Sequence, residues 1–163
     1  MPAYGPAMHS IRLLIADDHQ PFRQTLRQLV ESEGGFEVVG EACDGRQAVE
    51  LARQLKPDIV LMDVQMPVLD GVQAAGLITD DNPQARVIVL TMHRHDAYLF
   101  EAIKAGAQAF LLKDTDEQTL FDAIRDVHRG KALLGPQLTA RLLDEFRSLS
   151  QAGTYRSRGQ GDE

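Results

Sequence analysis

Ile59-Val60-Leu61-Met62-Asp63 is a short apolar run that ends at an aspartate. Three more apolar runs end in the same way at polar residues: Ile11–Ala16 before Asp17 and Asp18, Val87–Leu90 before Thr91, and Phe110–Leu112 before Lys113. Runs of this length, rich in branched apolar side chains, are typical of buried parallel strands. In an open parallel sheet, ligands bind at the carboxyl ends of the strands. The sequence therefore predicts that three carboxylates, a hydroxyl and an ammonium lie at one edge of a sheet.

Five strand-like runs alternate with segments of helical periodicity. The strands are predicted at Ile11–Ala16, Phe36–Ala42, Ile59–Met62, Ala85–Leu90 and Ala109–Leu112. Between and after them, apolar residues recur at helical spacing, at Phe22, Leu26, Leu29 and Val30, at Ala48, Leu51, Ala52 and Leu55, and at Leu120, Ala123, Ile124 and Val127. Alternating strands and helices with right-handed crossovers give a parallel sheet covered on both faces. We expect an α/β fold of the flavodoxin-like (βα)5 type, a doubly wound parallel five-stranded sheet with strand order 2-1-3-4-5.

The 163 residues have room for one domain and a short extension. Residues 1–9 are expected to be a flexible leader, and residues 10–130 to form the domain. Beyond it, a narrow apolar stripe predicts an additional C-terminal helix within residues 131–149, formed by Leu138, Leu142, Phe146 and Leu149. Residues 150–163 are rich in Gly and polar residues, and we interpret them as a polar linker or tail.

Composition excludes several classes of function. A net charge of −7 argues against unaided binding to nucleic acid, because that binding depends on Lys and Arg neutralising phosphates. No apolar stretch approaches the roughly 20 residues needed to span a bilayer, so no membrane partner is expected. Cys43 is the only cysteine, so no intramolecular disulfide is possible, and a reducing cytoplasm is the expected compartment. Its place in the apolar stretch Val38–Cys43 predicts a small, buried side chain. Clustered carboxylates suit a hard cation such as Mg²⁺.

Five ordered motifs resemble the receiver domain of bacterial two-component response regulators. They are Leu14–His19, Leu61–Pro67, Asp70-Gly71, Leu90–Met92, and Gly106 followed by Phe110–Lys113. The resemblance covers roughly residues 10 to 130 and extends, through Phe36–Ala42 and Leu111–Asp114, to the NarL/FixJ subfamily, whose receivers precede a LuxR-type helix-turn-helix. No such output domain is present in these residues. The chain is therefore expected to be a receiver fragment or, alternatively, a stand-alone receiver that acts by protein–protein interaction.

The resemblance implies a role for each polar residue at the sheet edge. Asp63 would be the phosphoacceptor, with a sensor histidine kinase as the phosphodonor. Asp18 would ligate Mg²⁺ directly and Asp17 through water, together with Asp63 and the backbone carbonyl of Gln65. Lys113 would pair with the phosphoryl group. The alternative, in which the two adjacent aspartates cap the helix that begins near Pro21, could coexist with metal binding.

The resemblance also implies a switch. Thr91 would hydrogen-bond the phosphoryl group, and Phe110 would turn inward as that loop moves. Gln65 and His93 would tune the lifetime of the acyl phosphate. A homodimer on phosphorylation is a possible output, through the surface near the helical segment that begins at Tyr98. His93 and His95 are also candidates for a transition-metal site, although polar loop histidines without Cys partners are more often solvated.

Two rival functions remain open at this stage. One is a Mg²⁺-dependent phosphohydrolase of haloacid-dehalogenase type, but such enzymes place the nucleophile on the first strand in a D-x-D arrangement, whereas Asp63 follows the third predicted strand. The other is a purely binding module. The receiver interpretation predicts no enzyme activity apart from self-phosphorylation and self-dephosphorylation, and contact with DNA only through an output domain that is not among these residues.

Overall fold

The computed structural model describes residues 10–64, 66, 68–92, 105–131, 140, 143, 144, 147 and 148. In the order of the chain, the strands and helices of these residues are β1 (Ile11–Ala16), α1 (Gln20–Glu33), β2 (Phe36–Ala42), α2 (Gly45–Leu55), β3 (Ile59–Met62), α3 (Gly71–Asp81), β4 (Arg86–Thr91), β5 (Ala109–Leu112) and α4 (Glu117–His128).

The five strands form one sheet in the order β2-β1-β3-β4-β5. Every pair of neighbours is parallel, which confirms the doubly wound α/β fold predicted from the sequence. Four strands have the predicted bounds, and β4 begins and ends one residue later than predicted. The reason is that Thr91 still pairs with Leu112 of β5, so the residue interpreted as the first one after the strand is its last.

Helices cover both faces of the sheet. On one face, Leu26 and Val30 of α1 and Ile124 of α4 pack against strand residues that include Leu13 and Ile59. Because successive strand residues point to opposite faces, Leu14 and Val60 and their equivalents are buried on the other face, where α2 contacts β1 and β2 and α3 contacts β4. Strands that are apolar on both sides explain why the strand residues form continuous apolar runs.

Cys43 is exposed, so the prediction of a buried cysteine is wrong. Strand β2 ends at Ala42, and Cys43 lies in the turn before α2, where its backbone N–H donates to Oε1 of Gln47 at 2.7 Å.

Within the described ranges, no helix is both long enough and apolar enough to cross a bilayer.

Residues from Leu134 onward form a compact unit separate from Met1–Leu133. In this second unit the described residues 140, 143, 144, 147 and 148 are helical, and Leu143 is exposed. The four residues of the predicted apolar stripe, Leu138, Leu142, Phe146 and Leu149, lie outside the described residues, as do the proposed leader and tail.

Candidate functional site

Backbone hydrogen bonds extend the sheet by one residue beyond the strand ends and so place the polar residues. The N–H of Asp17 donates to the carbonyl of Ala42, and the N–H of Asp63 donates to the carbonyl of Ala16, both at 3.0 Å. The N–H of Lys113 donates to the carbonyl of Thr91 at 2.9 Å. These residues therefore lie at the edge of the sheet, and side chains carried by strands are held in place more precisely than side chains on loops.

Asp17, Asp18 and Asp63 form the acidic cluster predicted from the sequence. One carboxylate oxygen from each lies within 4.8 Å of the others. Asp17 and Asp63 are buried, with 2% and 9% of their surface exposed, whereas Asp18 is exposed. Buried carboxylates require a counter-charge, and three hard oxygen donors beside an open side suit a cation that keeps several waters. The cluster can hold a metal ion.

The helix-capping interpretation is not supported by the geometry. Residue His19 occupies the N-cap of α1, with no hydrogen bond from its side chain, and Pro21 follows in the first turn. Oδ1 of Asp17 instead accepts from the backbone N–H of His19 at 2.8 Å. This bond orients the Asp17 carboxylate within the cluster, so it supports the cluster rather than the helix end.

Lys113 supplies the counter-charge. Its Nζ lies 2.5 Å from Oδ2 of Asp17 and 2.9 Å from Oδ2 of Asp63, and only 8% of its side chain is exposed. The ammonium also lies 4.5 Å from the ring centroid of Phe22, within the range of a cation–π interaction. One lysine thus bridges two carboxylates from different strands.

Burial by itself lowers the pKa of Lys113, but hydrogen bonds to Asp17 and Asp63 and their negative charges outweigh it, and the net pKa is raised above 10.5. A raised pKa in the folded state means that this ion pairing stabilises the fold fully below the unfolded-state pKa. The contribution is lost only as the pH rises through the folded-state pKa. The ammonium is therefore charged throughout the neutral range.

The loop after Asp63 is held tightly at its far end. Asp70 caps α3 in a capping box with Gln73, and the N–H of Gly71 donates to the carbonyl of Val64 at 2.8 Å. Within this loop, Val68 has a φ of 71°, which lies in the left-handed region that β-branched residues rarely occupy. Its side chain is exposed, with 70% of the residue surface open to solvent. The loop conformation is thus imposed by its closure rather than by local preference.

Thr91 and Phe110 are both buried, at the carboxyl end of β4 and within β5. Gln65, His93 and His95 lie outside the described residues, and so does the helical segment predicted to begin at Tyr98.

Three residues that the sequence interpretation missed also contribute to the site. The apolar spacing of α1 predicts only a core position for Phe22, yet its ring faces Lys113. Arg23 donates from Nη1 to the backbone carbonyl of Asp17 at 2.7 Å and from Nε to Oε1 of Glu41 at 3.1 Å. A signal was present, because a cation close to a helix N-terminus opposes the helix dipole and needs an acidic partner.

The family model for the response regulator receiver domain matches residues 13–125 of this chain. This chain belongs to that family. The transcriptional regulatory protein DegU of Brevibacillus brevis is 38% identical over 141 residues, which make up 86% of this chain and 60% of that protein. The chain thus spans about three fifths of the length of this curated relative.

Solved receiver structures share the fold. The signal receiver domain of the putative response regulator NarL from Mycobacterium tuberculosis has 34% identity and a TM-score of 0.73, covering 76% of this chain and 99% of that one. A LuxR-family two-component response regulator from Aurantimonas has 33% identity and a TM-score of 0.76, covering 83% of this chain and 97% of that one. These similarities favour the receiver over the phosphohydrolase interpretation.

Proposed function

We propose that this receiver accepts a phosphoryl group on Asp63 from a sensor histidine kinase and thereby switches a binding surface. The single observation that carries the proposal is the ammonium of Lys113, which bridges Asp17 and Asp63 inside a cluster of three carboxylates. A structural ion pair needs one acid and one base. A buried lysine shared between two acids, with a third acid beside them, suits a site that receives both a cation and an anionic phosphoryl group.

The proposed transfer is a displacement at phosphorus. A carboxylate oxygen of Asp63 forms the new bond, the P–N bond of the donor phosphohistidine breaks, and its electron pair remains on the imidazole nitrogen. The product is an acyl phosphate. Lys113 already contacts Asp63 at 2.9 Å, so its ammonium is in place to pair with the arriving phosphoryl oxygens.

The donor set fits Mg²⁺. Carboxylate oxygens of Asp17, Asp18 and Asp63 lie within 4.8 Å of one another, and the backbone carbonyl of Gln65 is proposed as the remaining protein ligand. Bound there, Mg²⁺ would neutralise negative charge that develops on the phosphoryl oxygens. Asp17 is held by His19 and Lys113, so we propose that it acts through water while the more exposed Asp18 binds directly.

Thr91 and Phe110 are the proposed switch residues. Thr91 is the last residue of β4, which lies beside β3, and Asp63 directly follows β3. Thr91 is buried, and so is Phe110 of β5. A hydrogen bond from the Thr91 hydroxyl to the phosphoryl group would draw its loop inward, and Phe110 would follow. Gln65 and His93, each two residues beyond Asp63 or Thr91, are proposed to set the lifetime of the acyl phosphate.

The proposed output is control of transcription in the cytoplasm. It rests on a relative named as a transcriptional regulatory protein and on a LuxR-family structural neighbour. We propose that the phosphorylated receiver, residues 10–130, acts on a DNA-binding output domain, with dimerisation as a possible intermediate step. The 131–149 segment would be the connecting helix and residues 150–163 the linker. A stand-alone receiver that acts by protein–protein interaction is the alternative.

Intact-mass analysis tests the proposal. The wild type, Asp63→Asn and a matched surface variant, Asp80→Asn, are incubated with MgCl₂ and acetyl phosphate. A single phosphoryl adduct is expected in the wild type and in Asp80→Asn, and none in Asp63→Asn. Loss of the adduct when EDTA replaces MgCl₂ would support the metal requirement. An adduct that persists in Asp63→Asn would contradict the assignment of the phosphoacceptor.

A further inference from the structure

Arg23 reaches across the acidic loop and binds its backbone. The guanidinium begins on α1, and Nη1 donates to the carbonyl oxygen of Asp17 at 2.7 Å. That carbonyl belongs to the peptide that joins Asp17 to Asp18, so the bond fixes the orientation of the link between the two carboxylates. The backbone around this peptide also forms other hydrogen bonds: the Asp17 N–H donates to the Ala42 carbonyl, the His19 N–H donates to the Asp17 side chain, and the His19 carbonyl accepts from the Arg23 N–H.

Glu41 of β2 holds Arg23 in place. Its Oε1 accepts from Nε of Arg23 at 3.1 Å, and its Oε2 accepts from Nη1 of Arg27 at 2.7 Å. The Arg23 side chain is only 14% exposed, compared with 41% for Arg27. Arg23 is thus the less exposed member of the pair and bonds both Glu41 and the Asp17 carbonyl, whereas Arg27 contacts the same glutamate from the solvent side.

We propose that Arg23, anchored by Glu41, is a positioning residue that holds the Asp17–Asp18 loop in the geometry that binds the cation. The inference rests on the proposed function in that it takes the cation to be Mg²⁺. Residues that orient metal ligands without touching the metal typically change metal affinity by 10- to 100-fold when they are removed. Arg23 acts through a peptide rather than through a side chain, so we place its effect near the lower end of that range.

The sign of the effect separates positioning from simple electrostatics. Arg23 carries a positive charge beside the cluster, and a positive charge repels an incoming cation. Removing that charge should therefore tighten Mg²⁺ binding if Arg23 acted only through its field. If Arg23 acts by holding the loop, its removal should weaken Mg²⁺ binding despite the favourable change in charge.

The experiment is calorimetric titration of the full chain with MgCl₂, for the wild type and three variants. Arg23→Gln is expected to bind roughly 10-fold more weakly. Arg27→Gln is the matched control: it lies on the same helix, loses the same charge and contacts the same glutamate, but has no contact with the Asp17 carbonyl. It is expected to bind as tightly as the wild type or slightly more tightly. Arg23→Lys keeps the charge and is expected to recover only part of the affinity, because an ammonium cannot reach both partners in the same fork geometry.

A second measurement needs no metal. The N–H of His19 donates to the Asp17 side chain, so its hydrogen exchange reports on the order of the loop. In metal-free protein, exchange at His19 is expected to be several-fold faster in Arg23→Gln and unchanged in Arg27→Gln. Amides in the centre of β3 serve as the internal reference for global stability, so a variant that is merely less stable shows faster exchange there too.

The outcomes distinguish this inference from the proposed function. Wild type that binds Mg²⁺, with Arg23→Gln binding equally well or more tightly, overturns the positioning role and leaves the proposed function standing. Equal weakening in Arg23→Gln and Arg27→Gln also overturns it, since the effect would then not depend on the Asp17 carbonyl. Wild type that binds no Mg²⁺ at millimolar concentration overturns the metal site itself, and the inference with it.

Discussion

Gly71 should not accept even a methyl side chain without cost, because α3 begins directly against the backbone that follows Asp63. A Cβ added at Gly71 would lie 2.6 Å from Cα of Val64 and 2.9 Å from the carbonyl carbon of Asp63, with the Asp63 carbonyl oxygen closer still. The first distance is 0.8 Å short of the 3.4 Å of an ordinary contact. All of these neighbours are backbone atoms, so no side chain can turn aside to relieve the overlap.

We therefore expect Gly71→Ala to destabilise the protein by roughly 2–3 kcal/mol, toward the upper end of the usual cost of overpacking. Gly76→Ala, in the same helix, is the matched control. Among the described residues, its Cβ would meet only Cβ of Ala105, at 3.9 Å, so the better helix propensity of alanine should stabilise the protein by roughly 0.5–1 kcal/mol. The same chemical change in one helix is thus expected to have opposite signs.

Urea unfolding followed by far-UV circular dichroism measures both changes, with the slope of the transition checked for constancy. In thermal unfolding of the same variants, the melting temperature is expected to fall by roughly 6–12 °C in Gly71→Ala and to rise by roughly 2–4 °C in Gly76→Ala. A Gly71→Ala variant with the wild-type midpoint would refute the reasoning. It would mean that the loop after Asp63 can move away from α3 at no cost.

Three further predictions concern the charges of the site. Lys113→Met removes the cation that bridges the buried carboxylates of Asp17 and Asp63, so urea unfolding at pH 7 should show a loss of roughly 3 kcal/mol, and an unchanged urea midpoint would contradict the pairing. Phe22→Leu, compared with Lys113→Met and the double variant in a thermodynamic cycle, should give a coupling of about 0.5–1 kcal/mol, and zero coupling would exclude the cation–π contact. For Glu41, the hydrogen bond from Arg27, opposed by partial burial and aided by Arg23, lowers the pKa below 4.5. The ionised form therefore contributes stability that is complete above the unfolded-state pKa and is lost as the pH falls through the folded-state pKa, so Glu41→Gln should lower the urea midpoint less at pH 3 than at pH 7.

The fold could be predicted from the sequence because its strands are buried on both sides. A strand such as Ile59–Met62 contains no polar residue that would obscure the pattern, and the helices show clear apolar spacing at positions such as Leu26 of α1 and Ile124 of α4. The acidic cluster followed from the same logic, because parallel strands bring their carboxyl ends to one edge. Residue type and position along the chain were sufficient for these predictions.

The failures arise where the decisive contact comes from a neighbouring element. Cys43 follows an apolar run, but β2 ends one residue earlier and leaves the thiol exposed. Arg23 and Glu41 look like ordinary surface charges until α1 is packed beside the end of β2. Phe22 fits the apolar stripe of α1, and only the three-dimensional approach of β5 shows that its ring also faces Lys113. Periodicity identifies the buried face of an element and does not identify its partner across that face.

The balance of charge at the site explains why a cation should precede the phosphoryl group. Three carboxylates and the one ammonium of Lys113 leave a formal charge of −2 at the sheet edge. A phosphoryl donor that carries roughly two negative charges would be repelled by this edge, and burial of Asp17 and Asp63 weakens the screening by water. A divalent cation brings the formal charge to zero. By neutralising the carboxylates, the cation would also weaken the pairing of Lys113 with Asp17 and leave the ammonium available to Asp63. In the proposed function, the lysine would therefore have two successive roles: it balances the charge of the carboxylates, and it would then pair with a phosphoryl group on Asp63.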